Sequence, residues 1–182
     1  MNLRFREIQR DDLEKIMHWR MLPEVTIYMY TDPLLTIEDQ KKWYEIIKND
    51  QTKKYWIINV DEDDVGLVGL YNIDKINRRC EWGYYLGSES VRGKGIARSV
   101  ELSLHHYVFE VLNLNKLCSE VFAWNDFVIS IHQKYGSSIE GKRLRHIYKN
   151  GEFHDIVEMA ILRENWEKTI KGKFEFTRAL IE

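Results

Sequence analysis

Only two cysteines, Cys80 and Cys118, occur in the 182-residue chain. That is too few for a disulfide framework, and their spacing is not that of metal ligands, so no metal is expected. Prolines number two and glycines ten. No Pro/Gly-rich linker divides the chain, and it contains no repeat or low-complexity tract. No apolar run approaches the roughly 18 residues of a membrane-spanning helix. The opening stretch MNLRFREIQRDD is charged from Arg4 onward and lacks the apolar core of a secretory signal. An excess of one charge is missing too: 27 Lys and Arg stand against 29 Asp and Glu, a net charge of −2, whereas a bulk nucleic-acid binder would be basic. Apolar residues, in contrast, make up 44% of the chain and aromatic residues 13%, enough for a full core, which excludes disorder. The expectation is a cytoplasmic protein with one domain over 1–170 and an unassigned tail over 171–182, with neither nucleic acid nor membrane as partner.

Periodicity and capping signals predict the elements. Leu3–Ile8 reads as a strand. Asp11 or Asp12 caps a helix with Leu13, Ile16 and Met17 on its apolar face, which must end before Pro23. Thr36-Ile37-Glu38-Asp39 resembles a capping box opening a second helix, with Trp43, Ile46 and Ile47 on one side. Lys54–Val60 and Val65–Asn72 read as strands joined by the acidic turn DEDD, and Cys80–Leu86 as a third. Gly93 to about Val111 reads as a helix, Lys116–Phe122 as a strand, and Asp126–Tyr135 as a helix stopped at Gly136. Asn150-Gly151 joins Ile139–Tyr148 to Phe153–Leu162 as a hairpin. A meander feeding one crossover helix is an α+β, mixed-sheet pattern.

The segment from Tyr84 to Ala97 ends a strand and passes through a loop containing Gly93 and Gly95 straight into a helix. Glycines let backbone N–H groups approach an anion, and the helix N-terminus adds partial positive charge, so a pyrophosphate fits here. The turn lies mid-chain after a meander, whereas a dinucleotide-binding fingerprint opens a βαβ unit.

Arg92-Gly93-Lys94-Gly95-Ile96-Ala97 resembles the Q/R-x-x-G-x-G/A signature of the GCN5-related N-acetyltransferases, and the element order matches from the Leu3 strand to the Ile161 strand. The resemblance implies a central, mostly antiparallel seven-stranded sheet, splayed between strands 4 and 5 and flanked by about four helices. It implies acetyl-CoA as co-substrate. The amides of Arg92, Gly93, Lys94, Gly95, Ile96 and Ala97 would hold the pyrophosphate. Tyr84, Tyr85 and Leu86 would border the pantetheine, Asn125 would contact it, and Ser130 and Lys134 would complete the cofactor side.

Acetyl transfer to an amine needs a proton acceptor for the amine and a donor for the departing thiolate, with no covalent enzyme intermediate. Cys118 therefore reads as a small buried hydrophobe. The family places a tyrosine seven residues after the asparagine, and here that position is His132. Ser137 stands where the family keeps a phenylalanine. A histidine can donate a proton near neutral pH. Alternation on Lys116–Phe122 puts Glu120 on one face with Cys118 and Phe122, where burial would raise its pKa toward that of a usable base; Glu81 is its rival.

Within the family, Trp19-Arg20, Tyr28–Thr31, Lys53–Ile58, Val68–Asp74 and His146–Asp155 resemble segments of the nucleotide-sugar N-acetyltransferases of pseudaminic acid biosynthesis. That implies transfer to the 4-amino group of a UDP-linked 4-amino-4,6-dideoxy sugar destined for a flagellin glycan. Arg20, Lys75 and Arg78 are candidate cations for its diphosphate. Tyr28, Met29, Tyr30, Tyr71 and Tyr85 are candidate walls, and Asn72 is a further substrate-binding candidate. Ribosomal-protein N-termini and polyamines are alternative acceptors, a non-catalytic acyl-CoA sensor is an alternative role, and a homodimer is left open.

Overall fold

Strand β1 (Leu3–Glu7) alternates buried Leu3 and Phe5 with half-exposed arginines, which commits one face to the core. The structure is a computed structural model and describes residues 2–88 and 94–182. Helix α1 (Leu13–Met21) ends at Leu22, whose extended backbone precedes Pro23. Proline then occupies the first position of a four-residue helix, α2 (Pro23–Thr26), where its missing N–H costs nothing. Thr36 caps α3 (Ile37–Asn49) in a true capping box with Asp39: the Thr36 hydroxyl accepts from the Asp39 amide and the Asp39 carboxylate from the Thr36 amide.

Strands β2 (Lys54–Val60) and β3 (Asp63–Asp74) pair antiparallel. β4 (Arg79–Leu86) follows, then α4 (Ile96–His106), which continues through a π-turn over Tyr107–Val111. β5 (Lys116–Phe122), α5 (Asp126–Lys134), β6 (Ser138–Lys149) and β7 (Glu152–Leu162) complete the expected order. Asn150 and Gly151 turn the last hairpin with φ of 52° and 85°, the geometry of a type I′ turn. A short helix α6 (Arg163–Asn165), a π-turn over Trp166–Ile170 and a final strand β8 (Leu180–Ile181) end the chain.

Two units can be distinguished. The first holds Met1–Ile73, Trp82–Ser103 and Phe176–Glu182, with strand order β4-β3-β2-β1-β8. Its core packs Ile8, Leu13, Ile16, Trp19, Ile57 and Leu67 together, with Trp43, Ile47 and Tyr85 against them. The second holds Asp74–Glu81 and Leu104–Glu175, with order β6-β7-β5-β4. There α5 lays Val128 and Ile129 on Val121, Val157 and Met159 of β5 and β7. β4 is common to both orders, so the strands make one eight-stranded, mostly antiparallel ladder; β1–β8 and β4–β5 are parallel. The β4–β5 pairing runs from Arg79–Lys116 to Glu81–Cys118. Among the described residues no helix is long and apolar enough to cross a membrane.

Several expectations need correction. The sheet has eight strands, because the tail assigned to nothing supplies β8: the Glu182 amide donates to Phe5 at 3.0 Å and the Trp56 indole to the Glu182 carbonyl at 2.9 Å. Of DEDD, Asp61 and Glu62 take positive φ and turn, while Asp63 and Asp64 already belong to β3. α4 begins at Ile96, since Gly95 at φ 73° is not helical. α1 buries Trp19 in place of Met17, its ring lying where a Cβ on Gly87 would be 2.2 Å away. Trp43 and Ile47 of α3 pack as expected, but Ile46 is exposed and Tyr44 packs in its place.

Candidate active site

The anion-binding turn is described from Lys94 onward; Arg92 and Gly93 lie outside the described residues. Gly95 holds φ at 73°, and a Cβ there would meet nothing within 4 Å. Among the described residues, then, no side chain covers Gly95 in front of α4, whose first amides have no acceptor within the helix. Ile96 is buried and anchors the helix start, Ala97 is half-buried, and Lys94 and Gly95 are exposed. A diphosphate fits such a cradle, and a side chain would fill it.

In the same unit, Arg20 leaves α1 half-buried and donates to the Thr31 carbonyl and, at 2.9 Å, to the Thr31 hydroxyl. Burial lowers its pKa from the ordinary value, while Tyr85 and Asp32 oppose that shift. Burial likewise pushes the Tyr85 phenol well above its usual range, with Arg20 acting against it. Arg20 and Tyr85 are therefore brought together. Tyr84 stacks on Trp82 at 5.8 Å, and the Tyr71 hydroxyl donates to the Trp82 carbonyl at 3.0 Å. Tyr28 is about half exposed, Tyr30 partly buried, and Asn72 exposed with φ of 51°.

In the second unit, Asn125 caps α5: its side-chain oxygen accepts from the Val128 amide at 3.3 Å, which leaves its NH2 as the donor for a ligand. Asn125, Ile129 and His132 follow one another down a single face of the helix, and Ile129 and His132 are both buried. The Ser130 hydroxyl donates to the Phe127 carbonyl, and the Lys134 ammonium lies over the Tyr135 ring at 5.9 Å. Arg78 donates to the Asn113 carbonyl at 2.9 Å and braces the turn before β5. Lys75 is exposed in the β3–β4 turn.

Glu120 departs from expectation. Its face of β5 is the half-exposed one, and its carboxylate accepts from the Arg143 guanidinium at 2.9 Å instead of lying among apolar neighbours. The burial pattern puts Leu117, Ser119 and Val121 on the core side, where α5 packs. Arg143 carried no signal in the sequence, because its partners are fixed only by strand register. Glu81 sits on β4 in register with Cys118. Burial pushes the Cys80 thiol up to about 12 and raises Cys118 as well, so neither is a ready nucleophile. Among the described residues no group of three or more His, Cys, Asp or Glu is placed to hold a metal ion.

A model of the acetyltransferase (GNAT) domain family matches residues 2–138. The chain belongs to the GNAT acetyltransferases. As a member of that family it takes the acetyl group from acetyl-CoA. The acetyltransferase is 28% identical over 166 residues to the spermidine N(1)-acetyltransferase of Escherichia coli (strain K12), covering 91% of this chain and 88% of the relative. It is also 28% identical over 145 residues to the acetyltransferase PseH of Campylobacter jejuni subsp. jejuni serotype O:23/36 (strain 81-176), covering 79% of this chain and 88% of that one. In fold it matches the crystal structure of spermidine N-acetyltransferase from Vibrio cholerae in complex with CoA and spermine, with a TM-score of 0.86 at 24% identity over 92% of this chain and 99% of that one.

Proposed function

We propose that this acetyltransferase acetylates the 4-amino group of a UDP-linked 4-amino-4,6-dideoxy sugar, the reaction that the sequence resemblance implies, in the cytoplasm. The observation that carries the reading is Arg20. A half-buried guanidinium, oriented by Thr31 and set beside the Tyr85 phenol, is a fixed cation on the segment that the resemblance assigns to the acceptor. It complements a diphosphate and repels a polyamine. A polyamine is the second reading, and the spermidine acetyltransferase relative supports it by its 91% coverage of this chain.

Acetyl-CoA supplies an activated thioester. Glu120, or Glu81 in its place, accepts the amine proton as the new C–N bond forms and the C–S bond breaks. His132 gives a proton to the departing sulfur, and Asn125 steadies the pantetheine arm through its NH2 group. Bringing the two substrates together in line accounts for much of the rate.

Thiol release from acetyl-CoA, followed with the nucleotide amino sugar, with spermidine and with a ribosomal-type N-terminal peptide, tests the proposal. The expected result is turnover with the sugar, and an Arg20→Gln variant whose kcat/KM for it falls by roughly 10- to 100-fold, the worth of a charge-assisted contact. Preferred turnover of spermidine, unchanged by Arg20→Gln, overturns it. No turnover with any amine, together with retained acetyl-CoA binding, points to a sensor.

A further inference from the structure

Glu120 and Glu158 stand directly opposite each other in the antiparallel β5–β7 ladder. Val121 and Val157, the next pair, turn toward α5, so the two carboxylates project from the other face. Like charges in that position repel. One cation answers both: the Nη2 atom of Arg143 on β6 lies 2.9 Å from Glu120 Oε1 and also bonds Glu158 Oε1. β6 is shaped for this contact. It shifts register between Ile139 and Gly141, placing Gly141 opposite Glu158, and a Cβ on Gly141 would come within 3.1 Å of Glu158 Oε2. A second shift follows between Arg143 and Ile147.

Other polar and charged groups near this pair lie on β5, β6 and β4. On β5, Lys116 is held by Glu140 of β6 at 2.6 Å, and Cys118 shares the face. On β6, His146 Nε2 lies 3.1 Å from Arg143 Nη1, on the side away from Glu120's contact atom. On β4, Glu81 is in register with Cys118.

Resting on the reading of Glu120 as the base, we infer that Arg143 is a positioning residue: by dividing its charge between Glu120 and Glu158, it sets the pH above which Glu120 can accept the amine proton. A carboxylate holding a guanidinium to itself would be a weak base. Two bare carboxylates would share one proton and keep it to higher pH. The proton moves from the amine nitrogen to a Glu120 oxygen; Arg143 keeps its own protons and only changes how readily that oxygen accepts.

The test is the acid limb of the kcat/KM–pH profile measured on the full chain. In Arg143→Gln the limb should move up by about one pH unit or more. Arg143→Lys should bring most of it back, since a point charge still screens the pair. In Glu158→Gln the limb should move the other way, to lower pH, because Arg143 then serves Glu120 alone. His146→Asn should leave it in place. If the limb stays put in both Arg143→Gln and Glu158→Gln while Glu120→Gln is inactive, the base reading stands and the role of Arg143 is overturned. If Glu120→Gln turns over normally, both fall. Should Arg143→Gln fail to fold by circular dichroism, Glu158→Gln decides the matter alone, since it removes no cation.

Discussion

Arg6 and Asp64 meet in a two-pronged ion pair, with Nε donating to Oδ1 at 2.9 Å and Nη2 to Oδ2, while the same guanidinium grips both oxygens of Asp12 at 2.8 and 2.7 Å. Lys15 and Asn59 complete the shell around Asp64. The network ties β1, α1 and β3 together. Arg6→Ala strands two poorly exposed carboxylates and should cost about 3–5 kcal/mol in denaturant unfolding. Burial alone would raise Asp12 and Asp64, but the bonds they accept, from Arg6 and the Gln9 amide at Asp12 and from Arg6, Lys15 and Asn59 at Asp64, together outweigh it and leave both below their ordinary values. The unfolded chain therefore binds these protons at higher pH than the folded one. The stabilisation is whole above about pH 4, the unfolded value, and is lost progressively as pH falls below it. Unfolding midpoints measured from pH 6 downward should show this loss in the parent and a flatter profile in Arg6→Ala.

Two glycines of the first unit should respond to alanine for different reasons. A Cβ on Gly66 would lie 2.1 Å from the Tyr85 carbonyl oxygen, backbone that cannot step aside. Gly66→Ala should thus destabilise by 1–3 kcal/mol or more, an estimate of about the usual overpacking cost. At Gly95 nothing lies within 4 Å, and only the positive φ opposes a side chain, about 1–2 kcal/mol. Gly95→Ala should fold, and calorimetry should show weakened acetyl-CoA binding; unchanged affinity would remove this turn from the cofactor site.

Glu120→Gln should lower turnover by roughly 100-fold or more, the usual loss for a general base, with acetyl-CoA binding intact. An active Glu120→Gln beside an inactive Glu81→Gln would transfer the role to Glu81.

His132 occupies a buried position on the Asn125–Ile129 face of α5. His132→Phe keeps an aromatic ring, though a larger one, and removes the donor, so kcat measured well below the variant's own melting temperature should fall. His132→Tyr should recover much of the loss, because a phenol also donates. Parent-like turnover of His132→Phe at every pH would show that water or another group protonates the sulfur.

The amide of Ala179 donates to the buried Ser103 hydroxyl of α4 at 2.9 Å, fastening the C-terminal strand. Ser103→Ala leaves that N–H without its acceptor and should cost about 1–3 kcal/mol. Hydrogen exchange offers the direct check: the Ala179 and Glu182 amides should lose protection while those of β2 keep theirs.

Much of the fold was legible before any coordinates. β2 and β5 match their expected bounds, the Thr36 capping box and the Asn150-Gly151 turn form as read, and the Asn125–His132 spacing puts both residues on one helical face. These features depend on residues within about ten positions of one another: the strand period of two, the helical period of 3.6, a hydroxyl within reach of the next turn's amides. By itself the sequence therefore determined the order of elements and the strand–turn–helix that identifies the family. Only the tertiary structure decided who meets whom. Glu120 shares Arg143 with Glu158 because two register shifts in β6 bring that guanidinium across β7. Leu180–Ile181 becomes a strand because β1, at the far end of the chain, offers a free edge and Trp56 a donor. Trp19 is buried in place of Met17 because Gly87 leaves room for its ring. Each of these contacts joins segments distant in sequence, and its energy exists only once the chain between them has folded.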